Sequence, residues 1–221
     1  MTLTVNQDIR LDLLNEKHAV GMFQLIDSNR EHLREWMMFI DGIDSIDSVY
    51  GFIEESKNYY SKGLEHAFVI FYKGEMVGRI GLNKIDGRNK IGEINYWLSE
   101  KYQGKGIVVL SCQRLIDYAF DELQLNRLEI KCGANNQRSI AIPKKLNFIR
   151  EGIIRQSKRL YNDWLDVKLF SLLKDDYHNK KNTSNNKQDP PNTLPTLIWS
   201  ALCITDWLEW TYTVSELSML G

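Results

Sequence analysis

Two kinds of hydrophobic pattern follow one another in the first quarter of the chain. Alternating apolar residues predict a strand over Ile9 to Leu14. Apolar residues at helical spacing then predict helices over Glu16 to Ile26 and His32 to Phe39. A third helix is capped near Asp47 and stops at Gly63. The chain therefore starts with one strand followed by several helices.

The middle of the chain is rich in β-branched and aromatic residues. Strands are predicted over His66 to Tyr72, Met76 to Ile85 and Ile91 to Leu98, and the short turn signals between them indicate an antiparallel meander. The apolar spacing from Gly106 to Leu123 is typical of a core-facing helix. Arg127 to Cys132 then returns to a strand pattern.

The next segment completes the sheet. Asn136 to Leu146 has a helical pattern that contains Pro143, and a proline inside a helix frees a carbonyl group and tends to kink the helix. Phe148 to Ser157 and Asp163 to Leu172 are predicted as two further strands. The order of elements predicts an α/β fold of the α+β kind, in which helices flank a mixed sheet of about seven strands.

The composition changes after Tyr177, which sets the predicted domain boundaries. Residues 1–177 form the predicted domain, and the polar, asparagine-rich residues 178–193 are predicted to be a linker because they bury too little apolar surface to fold. Residues 194–221 form a tryptophan-rich tail, either a short helix or disordered. Whether the tail is functional or an appendage stays open, and homodimerisation through it is one hypothesis.

The overall charge bears on which kinds of macromolecule or surface the protein could bind. The 221 residues include 28 basic and 29 acidic side chains, a net charge of -1, so no general field attracts nucleic acid or an anionic membrane. Cys112, Cys132 and Cys203 show neither metal-ligand spacing nor a disulfide pattern, and we expect a reducing cytoplasm. Residues 1–12 lack the apolar run of a signal peptide. No metal site is expected.

The candidate chemistry begins at the run from Gln103 to Val108, between a predicted strand and a predicted helix. Gly104 and Gly106 allow the backbone to approach a ligand closely, and a helix N-terminus presents unpaired N–H groups to an anion. The run matches neither the dinucleotide fingerprint nor the nucleotide P-loop. Taken alone, it predicts either an anion site or an ordinary strand-to-helix turn.

Several motifs, in order, resemble the GNAT superfamily of N-acetyltransferases, specifically the branch that acetylates ribosomal-protein N-termini. They are Gly92 to Leu98, Gln103 to Ile107, Asn136 to Pro143 and Leu146 to Phe148, and the match covers about residues 8–175. The resemblance implies the GNAT fold, a mostly antiparallel sheet that splays between strands four and five to hold acetyl-CoA. It also implies acetyl transfer from acetyl-CoA to a primary amine, by direct attack in a ternary complex.

The resemblance further implies how acetyl-CoA is held. The loop from Gln103 to Val108 would bind the pyrophosphate through N–H groups, and the backbone at Trp97 and Leu98 would pair with the pantetheine and face the thioester carbonyl. Lys105 is expected to add little beyond surface charge. The full expected contact set is Trp97, Leu98, Gln103, Gly104, Lys105, Gly106, Ile107, Val108, Asn136 and Ser139.

Two residues are expected to be catalytic. Ser139 would protonate or hydrogen-bond the leaving thiolate, although Asn136 and Ser139 also fit a simple helix cap. Glu93 is the first candidate for a general base and Glu151 the second, although Glu93 also fits a solvated charge on the sheet. An α-amine, with a pKa near 8, needs only modest help to lose its proton.

Departures from the family pattern bear on the acceptor. Val108 crowds the first turn of its helix, and Asn147 replaces a usual glycine but tolerates the left-handed conformation. Lys158 stands where some ribosomal-protein enzymes have a carboxylate, and a cation cannot be the same base. A protein N-terminus is the favoured acceptor. The alternatives are a polyamine or aminoglycoside, or a non-catalytic module that binds acyl-CoA.

Overall fold

The computed structural model describes residues 1–185. In chain order, strands β1 to β8 are Thr2–Thr4, Ile9–Leu13, His66–Tyr72, Glu75–Asp86, Ile91–Leu98, Arg127–Gly133, Ile149–Leu160 and Asp163–Leu173. Helices α1 to α6 are Ala19–Asp27, Arg30–Arg34, Ile46–Ser61, Ile107–Asp117, Gln137–Lys145 and Lys174–Asn185. The strands form one sheet in the order β1-β2-β3-β4-β5-β6-β8-β7.

The sheet opens between β5 and β6. These two strands are parallel, whereas the other neighbouring strands pair antiparallel. Their pairing ends at Ile94 and Ile130, but β5 continues to Leu98 and β6 continues to Gly133 beside β8. The two strand ends therefore leave main-chain groups unpaired between them. The predicted mostly antiparallel sheet, splayed between the fourth and fifth predicted strands, is confirmed.

Alternation along β5 separates two hydrophobic cores. Ile94 and Leu98 are buried in the core that contains α4 and α5 residues such as Cys112 and Ile140. Trp97 is buried in the other core, with residues of α1 and α3. Successive strand residues point to opposite faces of a sheet. Side chains at the end of β5 therefore reach both the α4/α5 face and the α1/α3 face.

Two early elements differ from the predictions. The sheet has an additional strand, β1, because the three residues Thr2–Thr4 bury Leu3 and pair with β2. The predicted continuous helix over His32 to Phe39 was wrong, because α2 ends at Arg34 and a 3-10 turn covers Met38–Gly42. Arg30 donates to the carbonyl oxygens of Ile40 and Ile43, each at 2.8 Å, and so folds this segment back on itself.

The last described helix extends beyond Tyr177, the predicted end of the domain. Helix α6 continues to Asn185, so residues 178–185 of the predicted linker are helical. Tyr177 and Lys181 both contact Asp117 on α4, at 3.1 and 2.7 Å, which anchors the helix to the domain. Residues 186–193 and the tryptophan-rich tail, 194–221, lie outside the described part. No helix within residues 1–185 is long and apolar enough to cross a membrane.

Candidate active site

The glycine loop before α4 adopts the conformation that an anion site requires. Gly106 is the N-cap of α4 with φ of 75°, and Gly104 has φ of 77°. Both are left-handed, a conformation that costs other residues about 1–2 kcal/mol. A Cβ at either position would meet nothing within 4 Å, so backbone conformation rather than packing selects glycine here. Open space therefore lies around the loop at the start of α4, where helix N–H groups lack intrahelical partners.

A cavity of about 1040 Å³ extends from this loop through the gap between β5 and β6. It brings together ten of the eleven residues expected in the site: Glu93, Trp97, Leu98, Gln103, Gly104, Gly106, Ile107, Val108, Asn136 and Ser139. Lys105 does not line it, and its Nζ lies 4.9 Å from the centroid of the Tyr102 ring. The cleft thus joins segments that are far apart in the sequence.

Gln103 is held in place by two helices. Its Nε2 lies 2.7 Å from Nε2 of His32, at the middle of α2, and its Oε1 accepts a hydrogen bond from Arg138 Nη1 at 2.8 Å. The glycine loop is therefore clamped from both sides of the cleft. His32 and Arg138 were not among the residues expected in the site, because only the folded chain brings them to the loop.

Asn136 and Ser139 form the cap of α5 and also border the cleft. Asn136 Oδ1 accepts a hydrogen bond from the Ser139 N–H at 2.9 Å, so the capping interpretation of Asn136 is confirmed. The Ser139 hydroxyl donates to Sγ of Cys132 at 3.2 Å and lies 3.3 Å from the hydroxyl of Tyr96. The cap therefore fixes a serine whose hydroxyl already hydrogen-bonds a sulfur atom at the bottom of the cleft.

Pro143 connects this helix to Tyr96. Because Pro143 has no N–H, the carbonyl of Ser139, four residues earlier, has no helical donor. The Tyr96 hydroxyl donates to that carbonyl at 3.1 Å. Burial raises the pKa of Tyr96 well above its usual value, which keeps the phenol protonated. The sequence indicated a carbonyl without a helical donor, but not that the Tyr96 hydroxyl would donate a hydrogen bond to it.

Glu93 lies in the cleft as an ion-paired carboxylate. Its Oε2 accepts from Lys84 at 3.2 Å and from Lys131 at 2.9 Å. Glu151, the second candidate base, does not line the cleft. It binds Arg127 through both carboxylate oxygens at 2.7 Å, and this pairing lowers the pKa of Glu151 to about 2. The geometry therefore leaves Glu93 as the better placed of the two carboxylates.

Trp36 and Lys158 line the cleft near Glu93. The Trp36 ring lies against Gly133, where a Cβ would come within 3.1 Å of it. Lys158 donates from Nζ to the Trp36 carbonyl oxygen at 2.8 Å, and burial of the amine lowers the pKa of Lys158. A bulge between Ile154 and Lys158 interrupts the pairing of β7 with β8 at this point. Lys158 is present in the cleft, as a cation.

Two comparisons with known proteins decide the family. The family model described as "Acetyltransferase (GNAT) domain" matches residues 8–149. The chain is also 33% identical over 183 residues to the putative ribosomal N-acetyltransferase YdaF of Bacillus subtilis strain 168, covering 81% of this chain and 99% of that protein. The chain belongs to the GNAT acetyltransferase family.

Other comparisons place this GNAT acetyltransferase among relatives with different acceptors. It resembles the solved structure of RimL, a ribosomal L7/L12 alpha-N-protein acetyltransferase in complex with coenzyme A through a CoA–cysteine disulfide. The TM-score is 0.77 and the identity 27%, over 80% of this chain and 99% of that one. It is 28% identical over 141 residues to spermidine N(1)-acetyltransferase of Escherichia coli K12, covering 62% of this chain and 71% of that enzyme.

The GNAT cleft contains two sets of chemical groups in different places. The glycine loop, α5 and Tyr96 offer N–H and hydroxyl donors, which suit phosphates and a leaving thiolate. Glu93, Trp36 and Lys158 offer charges and an aromatic surface. Within residues 1–185, no group of three or more His, Cys, Asp or Glu side chains is arranged to hold a metal ion.

Proposed function

We propose that this GNAT acetyltransferase transfers the acetyl group of acetyl-CoA to the N-terminal α-amine of a ribosomal protein, by direct attack in a ternary complex. The observation that carries the proposal is the continuous cleft from the glycine loop to Glu93 through the gap between β5 and β6. Such a passage lets two substrates meet without a covalent enzyme intermediate. The names of YdaF and RimL favour a ribosomal protein as the acceptor.

The donor half of the cleft consists of residues 103–108, the start of α5 and the end of β5. N–H groups at the start of α4 would bind the pyrophosphate, and the helix dipole adds to their attraction. Beyond Ile94, β5 has no partner strand on the side that faces β6. The backbone around Trp97 and Leu98 would bind the pantetheine on that side and direct an N–H at the thioester oxygen. The open space around Gly104 and Gly106 fits this role.

The acceptor half consists of Trp36, Glu93, Lys131 and Lys158. A neutral amine attacks the thioester carbon, so a C–N bond forms, the C–S bond breaks and the thiolate leaves. Both ion pairs of Glu93 use Oε2, so Oε1 is the atom that would accept the amine proton, through a water molecule. Ser139 would donate a proton to the thiolate and take one from the Tyr96 hydroxyl, and Tyr96, which lines the cleft, would recover its proton from water there.

A small-amine acceptor is the second candidate, because a spermidine acetyltransferase is among the relatives. Thiol release from acetyl-CoA, measured with unblocked peptides and with spermidine, separates the two. We expect turnover with peptides, and turnover with spermidine alone would overturn the proposal. Tight acetyl-CoA binding without turnover of any amine would instead favour a non-catalytic acyl-CoA module. Homodimerisation stays a prediction.

A further inference from the structure

The charges around Glu93 form an alternating series across the sheet. Lys84 of β4 pairs with Glu93 of β5 at 3.2 Å, and Glu93 pairs with Lys131 of β6 at 2.9 Å. Lys131 pairs with Glu129 at 3.1 Å. Arg127 then bridges Glu129 and Glu151, at 2.9 and 2.7 Å. Three cations thus balance three carboxylates.

Lys158 is the cation that this series leaves uncompensated. Among residues 1–185, no carboxylate comes within 4 Å of its Nζ, and its hydrogen bond goes to the neutral carbonyl of Trp36. Glu93 attracts it, but that carboxylate already carries two lysines, and Lys84 repels it. Glu35 and Glu100 also line the cleft, and neither forms an ion pair with Lys158 within 4 Å. An ammonium group has three donors, and here one is used.

Lys158 lies on β7, and β7 together with its neighbour β8 is basic. Residues 149–173 contain five Lys or Arg and three Asp or Glu, in a chain whose net charge is -1. Lys168, on β8, likewise donates to a carbonyl oxygen, that of Ala134, at 2.8 Å. The two strands thus carry two more basic than acidic side chains around Lys158.

We propose that Lys158 selects an acceptor that carries a carboxylate next to the reacting amine, such as a protein N-terminus with Asp or Glu at its second residue. The inference rests on the proposed function and names its substrate class. A carboxylate on the acceptor would occupy the free donors of the Lys158 ammonium group. A polyamine would instead bring further cations to Lys158 and be disfavoured.

The test uses the full chain with saturating acetyl-CoA and three peptides that differ only at the second residue, which is Glu, Gln or Lys. The measured quantity is kcat/KM for each peptide. It is compared in the unmodified protein, Lys158→Met, Lys158→Glu and a matched control, Arg155→Met. Arg155 lies on the same strand but does not line the cleft. Acetyl-CoA affinity, measured by calorimetry, reports whether each variant keeps a folded donor half.

In the unmodified protein we expect kcat/KM to fall from the Glu to the Gln to the Lys peptide, by about fivefold or more overall. Lys158→Met should make kcat/KM similar for the three peptides, and Lys158→Glu should reverse their ranking. Arg155→Met should keep the ranking of the unmodified protein. This inference would be overturned, and the proposed function left standing, if all three peptides had similar kcat/KM in the unmodified protein or if Lys158→Glu kept its ranking of the peptides. Normal acetyl-CoA binding without turnover of any peptide would overturn the proposed function as well.

Discussion

The two halves of the cleft are built in different ways. The donor half depends on main-chain geometry within short segments: a left-handed Gly106, an unpaired strand end and a helix cap by Asn136. The acceptor half depends on side chains from distant segments, Trp36 and Lys158 among them. Main-chain geometry tolerates substitutions that keep the backbone conformation, but not those at Gly106, where φ is positive. In the acceptor half, we expect the charge of one side chain to change the preferred acceptor.

The largest expected effect is on the donor half, through Gly106→Asp. A carboxylate there would lie beside the pyrophosphate, and like charges about 4 Å apart cost roughly 4 kcal/mol at an effective dielectric of about 20. We expect acetyl-CoA affinity, measured by calorimetry, to fall about 100-fold or more. Gly63→Asp is the matched control, because Gly63 also has positive φ, at 69°, but lies outside the cleft. Equal affinity for the two variants would place the phosphates elsewhere.

Gly78→Ala tests whether the backbone of β5 aligns the thioester. A Cβ at Gly78 would lie 2.3 Å from the Trp97 carbonyl oxygen and 3.0 Å from Leu98 Cα, so this end of β5 must move. A displacement of about 1 Å can cost roughly 100-fold in rate. We expect kcat at saturating substrates to fall by about that factor, with a lower thermal midpoint. Gly87→Ala, with nothing within 4 Å of its Cβ, should leave kcat unchanged. An unchanged kcat in Gly78→Ala would rule out this role.

Much of the donor half is predictable from the sequence because its interactions are local. Helix α4 begins at Ile107, within the run from Gln103 to Val108 and one residue after the expected start at Gly106. Asn147 has φ of 61°, which confirms the left-handed conformation expected at a position where the resembled family usually has glycine. Val108, the irregular residue of the loop, is buried in the core while it lines the cleft. Local sequence thus determines these conformations.

The acceptor half is not predictable in the same way, because tertiary contacts position its side chains. The segment around Trp36 has a helical pattern, but the hydrogen bonds from Arg30 to later carbonyls impose a turn. The ion pairs of Glu93 join strands that only the sheet brings together. Periodicity indicates the face on which Glu93 lies but not its partners.

Tyr96→Phe tests the link between Pro143 and the site. Loss of the hydroxyl leaves the Ser139 carbonyl without its donor and the Ser139 hydroxyl without its neighbour. We expect kcat to fall about tenfold, with a similar or larger loss in Ser139→Ala. If both residues act in one relay, kcat of the double variant should be no lower than kcat of the more impaired single variant. A double variant whose single-turnover rate falls by the product of the two single-variant factors would contradict a shared role.

The smallest expected effect is in the pH dependence of acceptor choice. Burial lowers the pKa of Lys158 below its usual 10.5, Glu93 opposes this shift and Lys84 adds to it. Because the ammonium form exists below the pKa, the preference for an acidic peptide should hold near pH 7 and fade as pH rises through the lowered value. The ratio of kcat/KM for Glu and Gln peptides removes the common effect of α-amine deprotonation. A ratio that stays unchanged up to pH 10.5, the usual pKa of lysine, would contradict this.

The most direct test of the central claim is site-resolved mass spectrometry of one acceptor. A peptide with an unblocked N-terminus and an internal lysine is incubated with the full chain and acetyl-CoA, in competition with spermidine. We predict acetylation of the N-terminal α-amine, with the internal lysine and spermidine left largely unmodified. Acetylation of spermidine with an unmodified peptide N-terminus would contradict the account.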